Sequence, residues 1–182
     1  MTETIPIATS ELELIIGDVT LTEADAFVFY AQSDLELGSG FGTAISVRGG
    51  PTIKKELDGL GPLETGEAVA STAGNLDAKY IIHAVGPKFQ EEDTEQKLRT
   101  TIRSALECGE SKGATSIAFP PMGTGFYGIP LPVCARIMTQ TIRDYLEQGS
   151  KLQKVAIVAL DSREYKPFHE CLETLMKKET VS

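Results

Sequence analysis

Residues 116–132 read SIAFPPMGTGFYGIPLP, and the order of residue types in that stretch decides the fold. Ser116 to Phe119 is a short apolar run that suits a central strand, Pro120 to Gly128 is a loop with glycine at 123, 125 and 128, and a helix is expected from about Leu131. The same order occurs earlier. Ala26 to Ala31 (AFVFYA) is almost continuously apolar, Gln32 to Gly42 carries Gly38-Ser39-Gly40-Phe41-Gly42, and a short helix is expected over Thr43 to Val47. Two strand–loop–helix units of this kind call for a largely parallel sheet with helices on both faces. The remaining periodicities agree. Glu11 to Ile16, Glu67 to Thr72, Tyr80 to Val85 and Lys154 to Leu160 read as further strands. Leu98, Ile102, Ala105 and Leu106 mark a helix between Asp93 and Gly113, with Asp93 or Thr94 as its N-cap. Val133 to Leu146 forms a second amphipathic face ended by Gly149, and Phe168 to Met176 a third, entered after Pro167. Thr52 to Leu57 is a short helix. The expected fold is an α/β sandwich of three layers, α/β/α, with a central, mostly parallel but mixed sheet.

Composition bounds the rest. The chain has 182 residues, 41% of them hydrophobic, and 17 basic against 26 acidic residues for a formal charge of −9. That suits one globular domain over 1–182 with its core at about 11–175, only Met1 to Thr4 and Lys177 to Ser182 being expected to fray. Nothing approaches the roughly 18–20 apolar residues of a membrane span. The first ten residues lack the pattern of a secretory signal. Cys108, Cys134 and Cys171 are odd in number and far apart, which points to reducing cytoplasm and away from a disulfide framework. Residues 1–100 carry a net −10 and residues 101–182 a net +1. The balance weighs against coating nucleic acid, and an anionic ligand would have to be held mainly by backbone amides.

Ligands of open α/β sheets bind beyond the carboxyl ends of the strands. Three loops there have unusual composition: Gly17-Asp18-Val19-Thr20, Gln32 to Gly42, and Pro120 to Gly128. In the last two, glycines let N–H groups converge and a following helix adds its positive end, so together they could clamp a pyrophosphate without a lysine. Gly123 to Gly128 also matches the GxGxxG fingerprint of dinucleotide-binding folds. It comes late in the chain, Pro130 interrupts it, and the candidate acidic partner Asp144 lies within a helix, so the nicotinamide reading is rejected. His83, inside an apolar strand, reads as a structural histidine, His169 as a surface or packing residue, and Cys134 as a small buried one. No zinc set and no nucleophile arrangement is present. Asp18 has two readings that spacing does not separate: acceptor for an exocyclic amine, or cap of an Asx turn.

Taken in order, these pieces resemble the macrodomain family, the ADP-ribose-binding α/β/α module. The resemblance is carried by Gly17-Asp18-Val19-Thr20, by Asp25 to Val28 leading to Gly38-Ser39-Gly40, and by Gly66-Glu67-Ala68. It continues through Tyr80 to Pro87, Ser116 to Pro120 with Gly123 to Gly128, and Val155 to Asp161. It covers about Glu11 to Leu175. Arg48-Gly49-Gly50, Gly61-Pro62-Leu63 and Leu160 to Glu164 are similar to the subgroup around the macro-histone-variant macrodomain.

The resemblance implies a binding module for ADP-ribose, free or at the end of ADP-ribosylated protein, with no metal or redox cofactor. It puts Asp18 at the adenine amine, the Val19 backbone at the ring, and Leu160 where many members stack an aromatic residue. Gly38, Ser39, Gly40 and Phe41 would line the first phosphate loop and the distal ribose. Gly123, Thr124, Gly125, Phe126 and Tyr127 would form the second loop, with Phe126 against that ribose. The alternative it implies is an ADP-ribosyl hydrolase or O-acetyl-ADP-ribose deacetylase using a phosphate-activated water. Family hydrolases typically carry Asn-Ala-Ala-Asn after the second strand, where this chain has Phe29-Tyr30-Ala31-Gln32. Gln32 still reaches the ribose, but its amide is displaced by one methylene, and ångström-scale misplacement costs on the order of 100-fold in well-oriented catalysis. With no replacement base expected near that loop, binding is favoured over turnover.

Overall fold

The computed structural model describes residues 1–181. In chain order it has β1 (Thr2–Ile7), β2 (Ser10–Ile16), β3 (Ala26–Ala31), α1 (Phe41–Gly49), α2 (Thr52–Leu57), β4 (Ala68–Thr72), β5 (Tyr80–Val85), α3 (Thr94–Ser111), β6 (Ser116–Phe119), α4 (Leu131–Glu147), β7 (Lys154–Ala159) and α5 (Ser162–Val181). The strands form one sheet in the order β1-β2-β7-β6-β3-β5-β4. The five central strands pair in parallel, and β1 and β4 close the two edges antiparallel. Because β2, β7, β6, β3 and β5 run the same way, their carboxyl ends share one edge of the sheet.

Side-chain alternation divides the core into two layers. Phe27, Phe29 and Ala31 of β3 join Ile45 of α1 and Ile53 and Leu57 of α2. Ala26 and Val28 join Leu98 and Ile102 of α3, Ile137 and Met138 of α4, and Phe168 of α5. Phe27, Phe119 and Phe168 are at most 1% exposed, and burying each contributes about 1.5–3 kcal/mol. The sandwich expected from the alternation of strands and helices is the one observed.

Both ends differ from expectation. Residues 2–4, read as fraying, begin a strand that pairs with β2 in the register Thr2↔Ile15 to Ile7↔Ser10, and Ile5 and Ile7 are buried. Pro6 is tolerable because β1 is an edge strand. At the other end α5 runs through to Val181 instead of fraying from Lys177, while Ser182 lies outside the described residues. The helix also starts five residues before Pro167. Asp161 opens it, its Oδ1 accepting Glu164 N (2.9 Å) and its carbonyl accepting Tyr165 N (3.0 Å); Pro167 then costs only a bond to the carbonyl of solvent-exposed Arg163. Asp93 precedes α3, but its side chain caps nothing.

Candidate functional site

The loops at the carboxyl ends of the parallel strands enclose one cleft of about 950 Å³, within the range of small-molecule sites. Its first wall follows β3. The chain turns away from Ala31 with Leu35 (φ 61°) and anchors itself by burying Leu35 and Leu37. A Cβ on Gly42 would stand 1.5 Å from the Leu37 carbonyl oxygen, so only glycine lets α1 start there. Gly40 precedes α1, and no side chain caps that helix, which leaves first-turn N–H groups available. Phe41, at the start of α1, packs on Phe29 with ring centroids 5.4 Å apart, and Phe29 meets His83 edge-on at 6.0 Å.

The second wall follows β6. Met122 is buried, and Gly123 (φ 77°) sits over Ile129. One helical turn, Gly125–Tyr127, is closed by Gly128 N to Gly125 O and Ile129 N to Gly123 O, each 3.0 Å. Phe126 projects with 88% exposure, while Tyr127 lies on Tyr30 at 4.5 Å. Tyr30 Oη donates to the Pro87 carbonyl at 2.5 Å, and burial pushes its phenol pKa up. No side chain caps α4, which follows the loop.

The third wall follows β2 and β7. Asp18 Oδ1 accepts Thr20 N (2.9 Å) and Thr20 Oγ1 (2.6 Å), and its Oδ2 accepts Arg48 Nη1 (2.9 Å). The Asx cap is therefore real, yet the same residue lines the cleft. Burial alone would raise the Asp18 pKa, but the hydrogen bonds from Thr20 and Arg48 hold it below the usual carboxylate range. Leu160 lies at the mouth, 68% exposed, its N–H given to Glu164 Oε2 at 2.9 Å.

Of the residues singled out in the sequence, Asp18, Val19, Gln32, Ser39, Phe41, Gly123, Thr124, Phe126, Tyr127 and Leu160 line this cleft together. Gly38, Gly40 and Gly125 shape its loops without lining it. A Cβ on Gly38 would stand 2.9 Å from Gln32 Nε2, so that glycine makes room for the amide. Sequence reading gave no site role to Asp34, Lys88, Phe89 or Glu164 and left the direction of Tyr30 open; all five line the cleft. Asp34, two residues beyond Gln32 in the same loop, places a carboxylate on the cleft wall that the sequence reading did not single out. Lys88 and Phe89 follow β5, a parallel strand whose carboxyl end opens on the same edge; its loop was passed over for want of a glycine cluster. Among the lining side chains Asp18, Asp34 and Glu164 outnumber the cation Lys88, so an anion would have to be held mainly by backbone amides.

The remaining candidates lie elsewhere. His83 is fully buried, its Nε2 2.8 Å from Ser71 Oγ and its Nδ1 without a partner, and burial lowers its pKa to about 4. His169 Nδ1 meets Glu3 of β1 at 2.8 Å. Cys134 is buried behind the second loop, donating to Met122 O at 3.3 Å, its thiol pushed up to about 12 by burial.

The family model described as Macro domain matches residues 30–138. An uncharacterized protein of Saccharolobus solfataricus is 40% identical over 171 residues, covering 92% of this chain and 95% of its own. A macro domain-containing protein of Caldanaerobacter subterraneus is 38% identical over 173 residues, covering 92% and 98%. Among solved structures, the Oceanobacillus iheyensis macrodomain with ADP superposes with a TM-score of 0.92 at 30% identity, covering 98% of each chain. The Trypanosoma brucei macrodomain in complex with ADP-ribose gives 0.82 at 31% identity, covering 88% of this chain and 68% of that one. These relatives are microbial, and the finer kinship to the macro-histone-variant subgroup finds no support among them. On sequence and on fold alike, the chain belongs to the Macro domain family.

Proposed function

We propose that the cleft binds ADP-ribose, free or as the terminal group of ADP-ribosylated protein. The observation that carries this reading is the convergence on one cleft of two loops that each lead to a helix without a side-chain cap, beside a carboxylate that is held in place and still reachable. The Oceanobacillus and Trypanosoma structures, with ADP and ADP-ribose respectively, supply the ligand class. In this reading adenine lies between Asp18, Val19 and Leu160. The pyrophosphate is clamped by amides around Ser39 and around Gly123 to Phe126, and the distal ribose lies by Gln32, Phe41 and Phe126. Leu160 offers less stacking than an aromatic residue, so affinity depends mainly on the amide clamp. The three cysteines are free, in keeping with a role in reducing cytoplasm.

Isothermal titration with ADP-ribose, with AMP and NAD as comparators, tests the site. Saturable binding that prefers ADP-ribose supports it; absence of binding, with the fold verified by thermal melting, refutes it. Hydrolysis of ADP-ribosylated protein is the second reading, favoured by Asp34 at the Gln32 end. Its Oδ1 accepts Glu36 N at 2.9 Å, which orients a carboxylate that could take a proton from water. Release of ADP-ribose by the wild type and its loss in Asp34→Asn would establish turnover. Equal rates in the two proteins would remove Asp34 from that role.

A further inference from the structure

Resting on the ADP-ribose reading of the cleft, we propose that Arg48 is the positioning residue that sets base selectivity. It fixes the Asp18 carboxylate so that one acceptor position is left for the amine of adenine. Three side chains form a closed ring. Asp18 Oδ1 accepts Thr20 Oγ1 at 2.6 Å, Thr20 Oγ1 accepts Arg48 Nη1 at 2.7 Å, and the same Nη1 donates to Asp18 Oδ2 at 2.9 Å. A carboxylate oxygen has two acceptor positions. Both on Oδ1 are filled, by the Thr20 hydroxyl and the Thr20 N–H (2.9 Å), and one on Oδ2 is filled by Arg48. A single position on Oδ2 remains, on a residue that lines the cleft.

The ring ties together two segments that meet only in the fold. Thr20 lies in the turn after β2 and is 2% exposed. Arg48 lies in the last turn of α1, one turn beyond the cleft-lining Ala44, where a cation also suits the helix end. The Arg48 and Asp18 side chains are 44% and 36% exposed, and an ion pair so open to water adds little to stability. What it does supply is orientation and charge. With Arg48 in place the carboxylate cannot turn freely, and its charge is balanced near a bound pyrophosphate. Glu164 of α5 lines the cleft too, its Oε2 engaged by Leu160 N at 2.9 Å and its Oε1 3.8 Å from Arg163. It offers Asp18 no compensating cation.

The reader of this arrangement is a base with an N–H donor at the position of the adenine amine. Hypoxanthine presents a carbonyl there, which the lone pair of Oδ2 repels. The test is titration of ADP-ribose and its hypoxanthine counterpart into wild type, Arg48→Ala and Arg48→Lys, at pH 7.5 and at pH 5.0. The expected result for wild type is a preference for adenine of at least about tenfold, held at both pH values. Arg48→Ala is expected to bind ADP-ribose about tenfold more weakly and to lose most of the preference. Its affinity should not fall further at pH 5.0, because an Asp18 freed from Arg48 keeps both bonds from Thr20 and stays ionised there. Arg48→Lys keeps the charge and should recover part of both effects. Arg48→Ala with wild-type affinity and preference at both pH values overturns the role. So does an equal weakening of both ligands, with the preference for adenine kept, since that is what general loosening of the turn would give. Wild-type protein that binds no ADP-ribose overturns the reading of the cleft and this proposal with it.

Discussion

Phe29 and Tyr30 are neighbours on β3 and point to opposite faces of the sheet, and each supports one of the two glycine-rich loops. Under the first loop the order is Phe41, Phe29, His83, an apolar stack that ends in a buried neutral imidazole. Under the second it is Tyr127, Tyr30 and the Pro87 carbonyl, a stack that ends in a hydrogen bond. The loops look alike in sequence and are held differently. In the first, the critical glycine faces backbone, since a Cβ on Gly42 would meet the Leu37 carbonyl at 1.5 Å. In the second, it faces the end of a side chain, since a Cβ on Gly123 would meet Ile129 Cδ1 at 2.4 Å. A side-chain terminus can swing aside and a carbonyl fixed by two buried leucines cannot. The first loop should therefore be the more brittle.

The sharpest way to break this contrast is alanine at both glycines. Gly42→Ala is expected to cost more than about 4 kcal/mol, because backbone must move, and to abolish ADP-ribose binding. Gly123→Ala should cost about 1–3 kcal/mol, from repacking Ile129 and from its positive φ. Urea melts of the two variants decide the matter, and equal losses would erase the distinction. Gly125→Glu probes the second loop without touching its floor. No atom lies within 4 Å of the new Cβ, so the fold should survive the strain of φ 72°. A carboxylate at the clamp should weaken binding at least about 100-fold, or about 3 kcal/mol. Retained affinity in a titration would take this loop out of the site.

What was legible in the sequence was local. Glycine clusters after apolar runs revealed both loops, and helical periodicity revealed α3 and α4, because each signal resides within a few consecutive residues. β1 was hidden because its outward residues are Thr2, Thr4 and Pro6, and its inward face begins with Glu3, so two buried isoleucines make too short a pattern beside a terminus. The directions of Phe29 and Tyr30 could not be read from AFVFYA, since a strand buried on both faces has no polar side to set the alternation. Arg48 and Asp18, thirty residues apart, become partners only through the packing of α1 beside the end of β2. Of the two readings of Asp18, the Asx turn is observed on Oδ1, and the proposed contact with an amine needs only the acceptor position left on Oδ2.

The pH dependence separates the two floors next. His83 has its pKa lowered from 6.5 to about 4 by burial, so the unfolded chain binds the proton more readily. The stability this represents is present above pH 6.5 and is lost as pH falls toward 4, amounting to about 3 kcal/mol at most. Urea midpoints measured from pH 7 to pH 4.5 should fall accordingly, and His83→Gln should flatten that part of the slope. An unchanged slope would mean that His83 is not the titrating group beneath the first loop. Asp18→Ala should then weaken ADP-ribose binding by about 1–3 kcal/mol, the loss of one charged hydrogen bond. Unchanged affinity would reduce Asp18 to a turn cap.

Tyr30→Phe is the mildest and most selective change. It keeps the ring against Tyr127 and removes only the hydroxyl that meets Pro87 O. The ring itself cannot be spared, because Gly86 and Gly123 leave space for it: a Cβ at either would come within 2.3 Å or 3.2 Å of its atoms. With that packing intact, the cost should be about 1 kcal/mol, one hydrogen bond and a carbonyl left to find water. ADP-ribose affinity should change by less than about threefold, since Tyr127 stays in place. A larger loss of affinity than of stability would show that the bond to Pro87 also positions the Lys88–Phe89 turn, which lines the same cleft. The second loop would then rest on two strands, β3 and β5, where the first rests on a single stack.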